Sequence, residues 1–305
     1  MRMEKEHWKS WCLAVRPKTL PLSMSSTILG SFLAGAEGKF HLDVFILASI
    51  TTILLQVLSN LANDYGDFVS GTDSAGRIGP KRMVQSGSIT PRQMIGAIIA
   101  VVVAVLISGI ALIRVGTAGM PLGFSALFFI LGLLCVMAAL KYTIGKNPYG
   151  YRSLGDISVF IFFGLVGAIG TFFLHTHEFR FDVFLPAASI GFLSTGVLNL
   201  NNMRDCRSDE KAMKRTVALV LGNSLAKIYH AILILSAVAA GLLYTLLNFK
   251  SVFQFLFILP LPFLYLNVRA VLLHRKPAEL NVELQKLSFS TILFALCFGL
   301  GLVIG

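Results

Sequence analysis

Asn60-Leu61-Ala62-Asn63-Asp64-Tyr65-Gly66-Asp67 stands at the end of an apolar stretch, and Asn199-Leu200-Asn201-Asn202-Met203-Arg204-Asp205-Cys206-Arg207-Ser208-Asp209 stands at the end of another. A carboxylate at the edge of hydrocarbon is costly unless it meets a cation or a partner. Two asparagine-bearing acidic clusters in a chain this apolar therefore predict one shared metal site, and an integral membrane enzyme around it.

Working outward from these stretches, the chain has 305 residues, of which 55% are hydrophobic and 13% charged, with mean hydropathy +0.77. A soluble domain of this length needs more polar surface than that. Apolar tracts fall around residues 20–36, 43–62, 94–113, 121–140, 157–174, 183–201, 228–247, 251–272 and 288–304. A helix rising about 1.5 Å per residue crosses the hydrocarbon in about 20 residues. The expected fold is thus an all-α polytopic membrane protein with nine transmembrane helices, organised as a single domain over 1–305.

Basic residues set the orientation. With nine spans and a cytoplasmic N-terminus, 22 of the 26 Lys and Arg lie inside, and only Lys39, Arg114, Arg180 and Lys250 lie outside. This is the positive-inside pattern. It places both acidic motifs on the inner face, with long cytoplasmic catalytic loops at about 64–93 and 202–227, short turns opposite, and the C-terminus on the outer side of a bacterial cytoplasmic membrane. The net charge of +11 records this orientation and anionic substrates rather than nucleic acid, since no nucleic-acid-binding motif accompanies it. Trp8, Trp11, Arg16, Pro17 and Lys18 read as an interfacial lead-in without the cleavage signal of a secretory peptide. The four scattered cysteines form no zinc or disulfide pattern.

Asn60, Asn63 and Asp67 stand at offsets 0, 3 and 7, and Asn202, Asp205 and Asp209 repeat those offsets about 140 residues later. On a helix such positions share one face. Hard oxygen donors without a convergent Cys/His set favour Mg²⁺, with Mn²⁺ as the substitute. The candidate ligands are Asp64, Asp67, Asp205 and Asp209, extended by Asn60, Asn63, Asp73, Asn201 and Asn202. Unit charges about 4 Å apart interact by roughly 4 kcal/mol at an effective dielectric of 20, so bare carboxylates repel; a divalent ion shared with a diphosphate turns repulsion into a clamp. Arg82 and Lys214 follow the motifs as first candidates for the diphosphate, with Arg77, Lys81, Arg204 and Arg215 behind them. Asp156 opens a further apolar tract, where capping a helix and lying near an acceptor are both open readings. The 24 Phe residues suit an isoprenoid groove without singling out any one of them.

At Arg16-Pro17-Lys18-Thr19-Leu20-Pro21, Leu61 to Asp67, Tyr149-Gly150-Tyr151, Gly155-Asp156-Ile157-Ser158 and Asn201 to Asp209, the chain resembles the UbiA superfamily of intramembrane prenyltransferases. It is most similar there to the 1,4-dihydroxy-2-naphthoate polyprenyltransferase (MenA) branch. The resemblance covers nearly the whole chain. It implies nine helices around a central cavity and Mg²⁺-dependent transfer of a polyprenyl group from polyprenyl diphosphate to 1,4-dihydroxy-2-naphthoate. Decarboxylation and diphosphate release would then give demethylmenaquinone. Asn63, Asp64 and Asp67 match the first family motif, Asp205 and Asp209 the second, and Lys214 a basic position. Asp73 lies farther from Asp67 than the family's next acid, and Ala212-Met213 departs from its usual spacer. Lys141, Tyr142, Lys146 and Asp156 are the acceptor-side candidates.

Two other readings stay open on residues alone. One is the same chemistry on another aromatic acceptor, such as 4-hydroxybenzoate. The other is a cation-coupled transporter, which would place its carboxylates at mid-membrane on broken helices.

Overall fold

The computed structural model describes residues 2–71, 78–79 and 82–305. Asp73, Arg77 and Lys81 lie outside the described residues. The described residues are predominantly helical. α1 (Arg2–Val15) and a 3₁₀ turn at Pro17–Thr19 lead into α2 (Leu20–Ala36), α3 (Leu42–Val69), α4 (Pro91–Gly116) and α5 (Leu122–Lys141). α6 (Gly155–Val159) runs through a π-helical stretch, Phe160–Val166, into α7 (Gly167–Thr176). Then follow α8 (Phe184–Lys211), α9 (Val217–Leu247), α10 (Leu261–Leu273) and α11 (Leu280–Ile304).

Among the described residues, seven helical segments are long and apolar enough to cross a membrane: α3, α4, α5, the α6–α7 rod, α9, Val252–Leu273 and Pro277–Ile304. The other two expected tracts are helical as well. α2 has only 17 residues, and α8 carries charged residues through its last turns. Local chemistry accounts for the starts: Pro91 sits in the first turn of α4 behind a Thr90/Gln93 capping box, and Thr216 accepts the Leu219 N–H to open α9.

The expected long loops are shorter. α3 continues to Val69 and α8 to Lys211, so both acidic motifs are helical. Their acids face protein, so the polarity that reads as a loop in sequence does not end the helix.

Three of the short turns opposite meet at one end of the molecule. Lys39 pairs with Glu178, Arg180 reaches Glu37 at 2.6 Å, and His177 Nε2 lies 3.0 Å from the Gly116 carbonyl. Buried side chains gather in two clusters. One joins α2, α7, α8, α9, α10 and α11 through residues such as Leu29, Ile190, Leu193, Ala237 and Phe294. The other joins α3, α4, α5 and the 83–89 segment through Leu58, Leu61, Met83, Ile89, Val105 and Val136. In lipid such helices gain little from the hydrophobic effect and cohere by close packing. At the π-helical stretch this contact is tight: a Cβ added to Gly164 would stand 2.5 Å from the Gly191 Cα of α8.

Candidate functional site

A cavity of about 390 Å³ is lined from both clusters. Its polar end holds Asn63, Asp67 and Arg82 from the α3 side, with Asn201, Asp205, Ser208, Asp209 and Lys214 from the α8 side. Its apolar end is walled by α4, α5 and the α6–α7 rod, including Val105, Ile113, Phe128, Phe162, Phe163 and Leu174.

The α3 motif reaches this place because its helix packs unusually close to the segment after α5. A Cβ on Gly66 would lie 2.7 Å from that of Thr143, so only glycine fits. Thr143 Oγ1 donates to the Ala62 carbonyl at 3.0 Å and to Asn63 Oδ1 at 3.1 Å. Asp67 then faces the cavity, where it pairs with Arg82 and accepts the Tyr151 hydroxyl at 2.8 Å.

Asp64 behaves differently. Both its oxygens accept backbone N–H groups, from Met83 at 3.0 Å and Val84 at 3.1 Å, and it is absent from the cavity lining. In this arrangement the side chain clamps the turn that delivers Arg82. Asn60 lines the cavity, but its amide braces the start of α2, donating to Val15 O at 2.8 Å and Thr19 Oγ1 at 3.0 Å.

On α8, Asp205 is held by a two-point contact from Arg204 at 2.8 and 2.6 Å, and Arg204 also reaches Asn201 and Asn281. Arg204 thus orients an acid and lies off the lining, rather than standing among the diphosphate contacts. Asp209 is 2% exposed; Lys214 Nζ lies 3.4 Å from its Oδ1, and its Oδ2 has no hydrogen-bond partner. Burial pushes this carboxyl up to about 6 against the pull of Lys214, and the nearby Asp205 and Asp67 charges push the same way as burial. Asn202 Oδ1 is a second buried oxygen without a partner. Asn202 lies off the cavity lining, whereas the Asp209 oxygen is on it and suits a hard cation such as Mg²⁺. Among the described residues, no three His, Cys, Asp or Glu side chains are yet gathered tightly enough to enclose an ion. Mg²⁺ characteristically takes one or two carboxylates and completes its shell with water and phosphate.

Lys214 Nζ also stands 5.4 Å over the Tyr151 ring, and the Tyr151–Arg215 backbone contact at 3.1 Å ties the two segments together. Arg215 is itself exposed and off the lining. Of the acceptor-side candidates, only Tyr142 lines the cavity. Burial, and then Asp156, hold its phenol well above the ordinary range, so it stays a hydrogen-bond donor. Lys141 and Lys146 are exposed, and Asp156 turns to Tyr229, whose hydroxyl it accepts at 3.1 Å. Tyr151, Tyr149, Thr143 and Arg16 also contact or line the site; in the sequence no site role was read for them, and only the Arg-Pro-Lys-Thr and Tyr-Gly-Tyr motifs pointed at three of them.

A model of the UbiA prenyltransferase family matches residues 23–291. The chain is 42% identical over 307 residues to the 1,4-dihydroxy-2-naphthoate octaprenyltransferase of Haemophilus influenzae, covering 100% of this chain and 99% of that one. It is also 42% identical to the Escherichia coli protein of the same description, over 96% of this chain and 95% of the relative. Among solved structures, a UbiA homolog from Aeropyrum pernix superposes with a TM-score of 0.69 at 16% identity, covering 95% of this chain and 98% of that one. A UbiA homolog from Archaeoglobus fulgidus bound to GPP and Mg²⁺ gives 0.66 at 15% identity, over 97% and 100%. At that identity the structural likeness establishes the fold.

Proposed function

This chain belongs to the UbiA prenyltransferase family, and from that premise we propose that it transfers a polyprenyl group from polyprenyl diphosphate to 1,4-dihydroxy-2-naphthoate. The transfer is coupled to decarboxylation and diphosphate release and yields the reduced, quinol form of demethylmenaquinone, within menaquinone biosynthesis. The observation that carries this reading is the meeting of Asp67, Asp205, Asp209, Arg82 and Lys214 at the polar end of one long apolar chamber. A diphosphate with an apolar tail is the ligand that such a two-ended cavity suits.

α2 and α8 complete nine spans around the chamber, and the whole chain acts as one prenyltransferase domain. The division of Lys and Arg, 22 on one side and 4 on the other, supports a polar mouth and N-terminus on the cytoplasmic side of a bacterial membrane. Asp67, Asp205 and Asp209, assisted by Asn63, would hold Mg²⁺. When bound, the metal supplies positive charge against the departing diphosphate.

The protein's own groups divide the remaining work. Arg82 and Lys214 now pair with Asp67 and Asp209. Once those acids are neutralised, both cations are placed to donate to diphosphate oxygens as the allylic carbon–oxygen bond breaks. Phe128, Phe162 and Phe163 line the apolar end and suit the isoprenoid tail. Tyr142 and Tyr149, on the same lining, position the electron-rich ring that attacks the allylic carbon. A ring–carbon bond to the prenyl group forms, and the bond to the ring carboxylate breaks with loss of carbon dioxide.

The test is reconstitution in vesicles with a polyprenyl diphosphate, each aromatic acceptor in turn, and Mg²⁺ or chelator, reading lipid products by mass. Prenylated naphthoquinol that depends on both metal and dihydroxynaphthoate is the expected result. Product from 4-hydroxybenzoate alone would move the assignment to another acceptor, and ion-driven solute uptake without any prenylated product would overturn it.

A further inference from the structure

Below its acidic end the chamber is still not wholly apolar. On α3, Gln56 lies two turns back from Asn63, about 10 Å at 1.5 Å per residue. It lines the chamber, is 8% exposed, and its Oε1 has no hydrogen-bond partner among the described residues. On α8, Ser194 lies the same two turns back from Asn201, lines the chamber at 1% exposure, and its Oγ has no such partner either. Leaving a buried polar oxygen unpaired is costly. An isoprenoid tail carries no group that could pair it, so a polar ligand is implied at this depth.

The orientation of Gln56 is forced from outside the chamber, by two main-chain carbonyls that can only accept. The Thr19 hydroxyl donates to the Arg16 carbonyl at 2.9 Å, so its proton is used and its oxygen serves other groups as an acceptor. The Asn60 amide nitrogen donates to the Val15 carbonyl at 2.8 Å and to Thr19 Oγ1 at 3.0 Å, which leaves its Oδ1 facing Gln56. Gln56 therefore turns its NH₂ toward both, with Nε2 3.2 Å from Asn60 Oδ1 and 3.3 Å from Thr19 Oγ1. A flipped amide would set oxygen against oxygen at each contact. Its Oε1 is left over, an acceptor held in place on the chamber wall. Tyr149 brings a second polar group to nearly this depth. Its hydroxyl donates to the Ala138 carbonyl at 2.8 Å, and Thr143, a little over one turn beyond Ala138, touches Ala62 and Asn63. Counted back from that contact, the Tyr149 hydroxyl and Gln56 lie within about one helical turn of each other.

We propose that Gln56 Oε1 accepts a hydrogen bond from the 4-hydroxyl of the naphthoate, making Gln56 a specificity-determining residue for a dihydroxylated ring. This rests on the dihydroxynaphthoate reading of the chamber. In that molecule the 1-hydroxyl lies beside the 2-carboxylate and donates to it internally, so the 4-hydroxyl is the one left to donate outward. A neutral amide orients this phenol without removing its proton. A site built to receive a hydroxyl rejects an analogue that lacks it, because its own polar group is then left unpaired.

The experiment is anaerobic calorimetry on protein in nanodiscs holding Mg²⁺ and geranyl S-thiolodiphosphate, a donor analogue that resists ionisation. The wild-type protein should bind 1,4-dihydroxy-2-naphthoate about ten-fold more tightly than 1-hydroxy-2-naphthoate. Gln56→Met, which keeps the length of the side chain and drops the oxygen, should bring the two within about two-fold. Its affinity for the donor analogue should stay within about two-fold of wild type, which separates loss of the oxygen from loss of the fold. Equal wild-type affinity for the two naphthoates, or a preference undiminished in Gln56→Met, overturns the assignment; a residue that only braces α2 against α3 would weaken both ligands alike. Should Gln56→Met not fold, the wild-type protein still provides a test with 1-hydroxy-4-methoxy-2-naphthoate, which keeps the 4-oxygen but has no proton to give. Binding as tight as that of the dihydroxy compound overturns the proposal. If the wild-type protein binds neither naphthoate and prenylates only another aromatic acceptor, the functional reading itself falls; if it binds them without regard to Gln56, only this assignment does.

Discussion

The acidic stretches on α3 and α8 share their spacing but not their wiring. On α3, Asp64 is committed to two backbone N–H groups, and Asp67 to Arg82 and Tyr151. On α8, Asp205 is squarely held by Arg204, whereas Asp209 has one oxygen near Lys214 and another with no partner. A repeated pattern of residue types therefore hides a difference in wiring: α3 fastens the wall that carries Arg82, and α8 holds the less satisfied carboxylate, the one proposed to meet an ion.

Substitutions along both helices can break or sharpen that contrast. Asp209→Asn should be the most severe, lowering turnover by about a thousand-fold, in the range seen when one group stabilising developing charge is removed; a Mg²⁺ titration of the rate is the check, and a near-normal rate would remove Asp209 from the ion site. Asp67→Asn should cost about a hundred-fold, because Arg82 keeps its place through the neighbouring turn. Lys214→Ala should act chiefly through the donor, raising its KM about ten-fold with a smaller change in kcat; an unchanged donor dependence would reject its diphosphate role. Asp64→Asn separates the two helices most cleanly. It should destabilise by about 1–3 kcal/mol, since one backbone N–H loses its acceptor, visible as a lower Tm and faster proteolysis around residues 82–88. If it instead abolished Mg²⁺ dependence at an unchanged Tm, the wall-building role would fail. Tyr151→Phe should be mildest, a loss of about 1 kcal/mol in the same stability assay.

Much of this was legible in the chain. Apolar tracts located the helices because spacing and length are properties of the sequence itself. Seven meet the demands of a membrane span among the described residues, and the remaining two tracts are helical. The ends of α3 and α8 were misjudged as loops because charge normally marks solvent, whereas here the acids turn inward. The role of Asp64 was unreadable for a different reason: its partners are main-chain N–H groups of Met83 and Val84, identical at every residue and revealed only when the turn folds back. Lys141 and Lys146 were acceptor-side candidates by resemblance, yet they are exposed and off the cavity lining. Tyr151 became significant only when residues far apart in sequence met, since it touches both Asp67 and Lys214.

The π-helical stretch at Phe160–Val166 has a consequence for how this wall tolerates change. A π turn holds one more residue than the α turn it replaces, and one residue corresponds to about 100° of helical rotation. The azimuth of α7 is thus set by chain arithmetic upstream of it. Excising a single residue from 160–166 would swing Leu174 away from Gly116 and His175 away from Ser31, while leaving every remaining side chain chemically intact. In this part of the protein, miscounting is a graver error than misspelling.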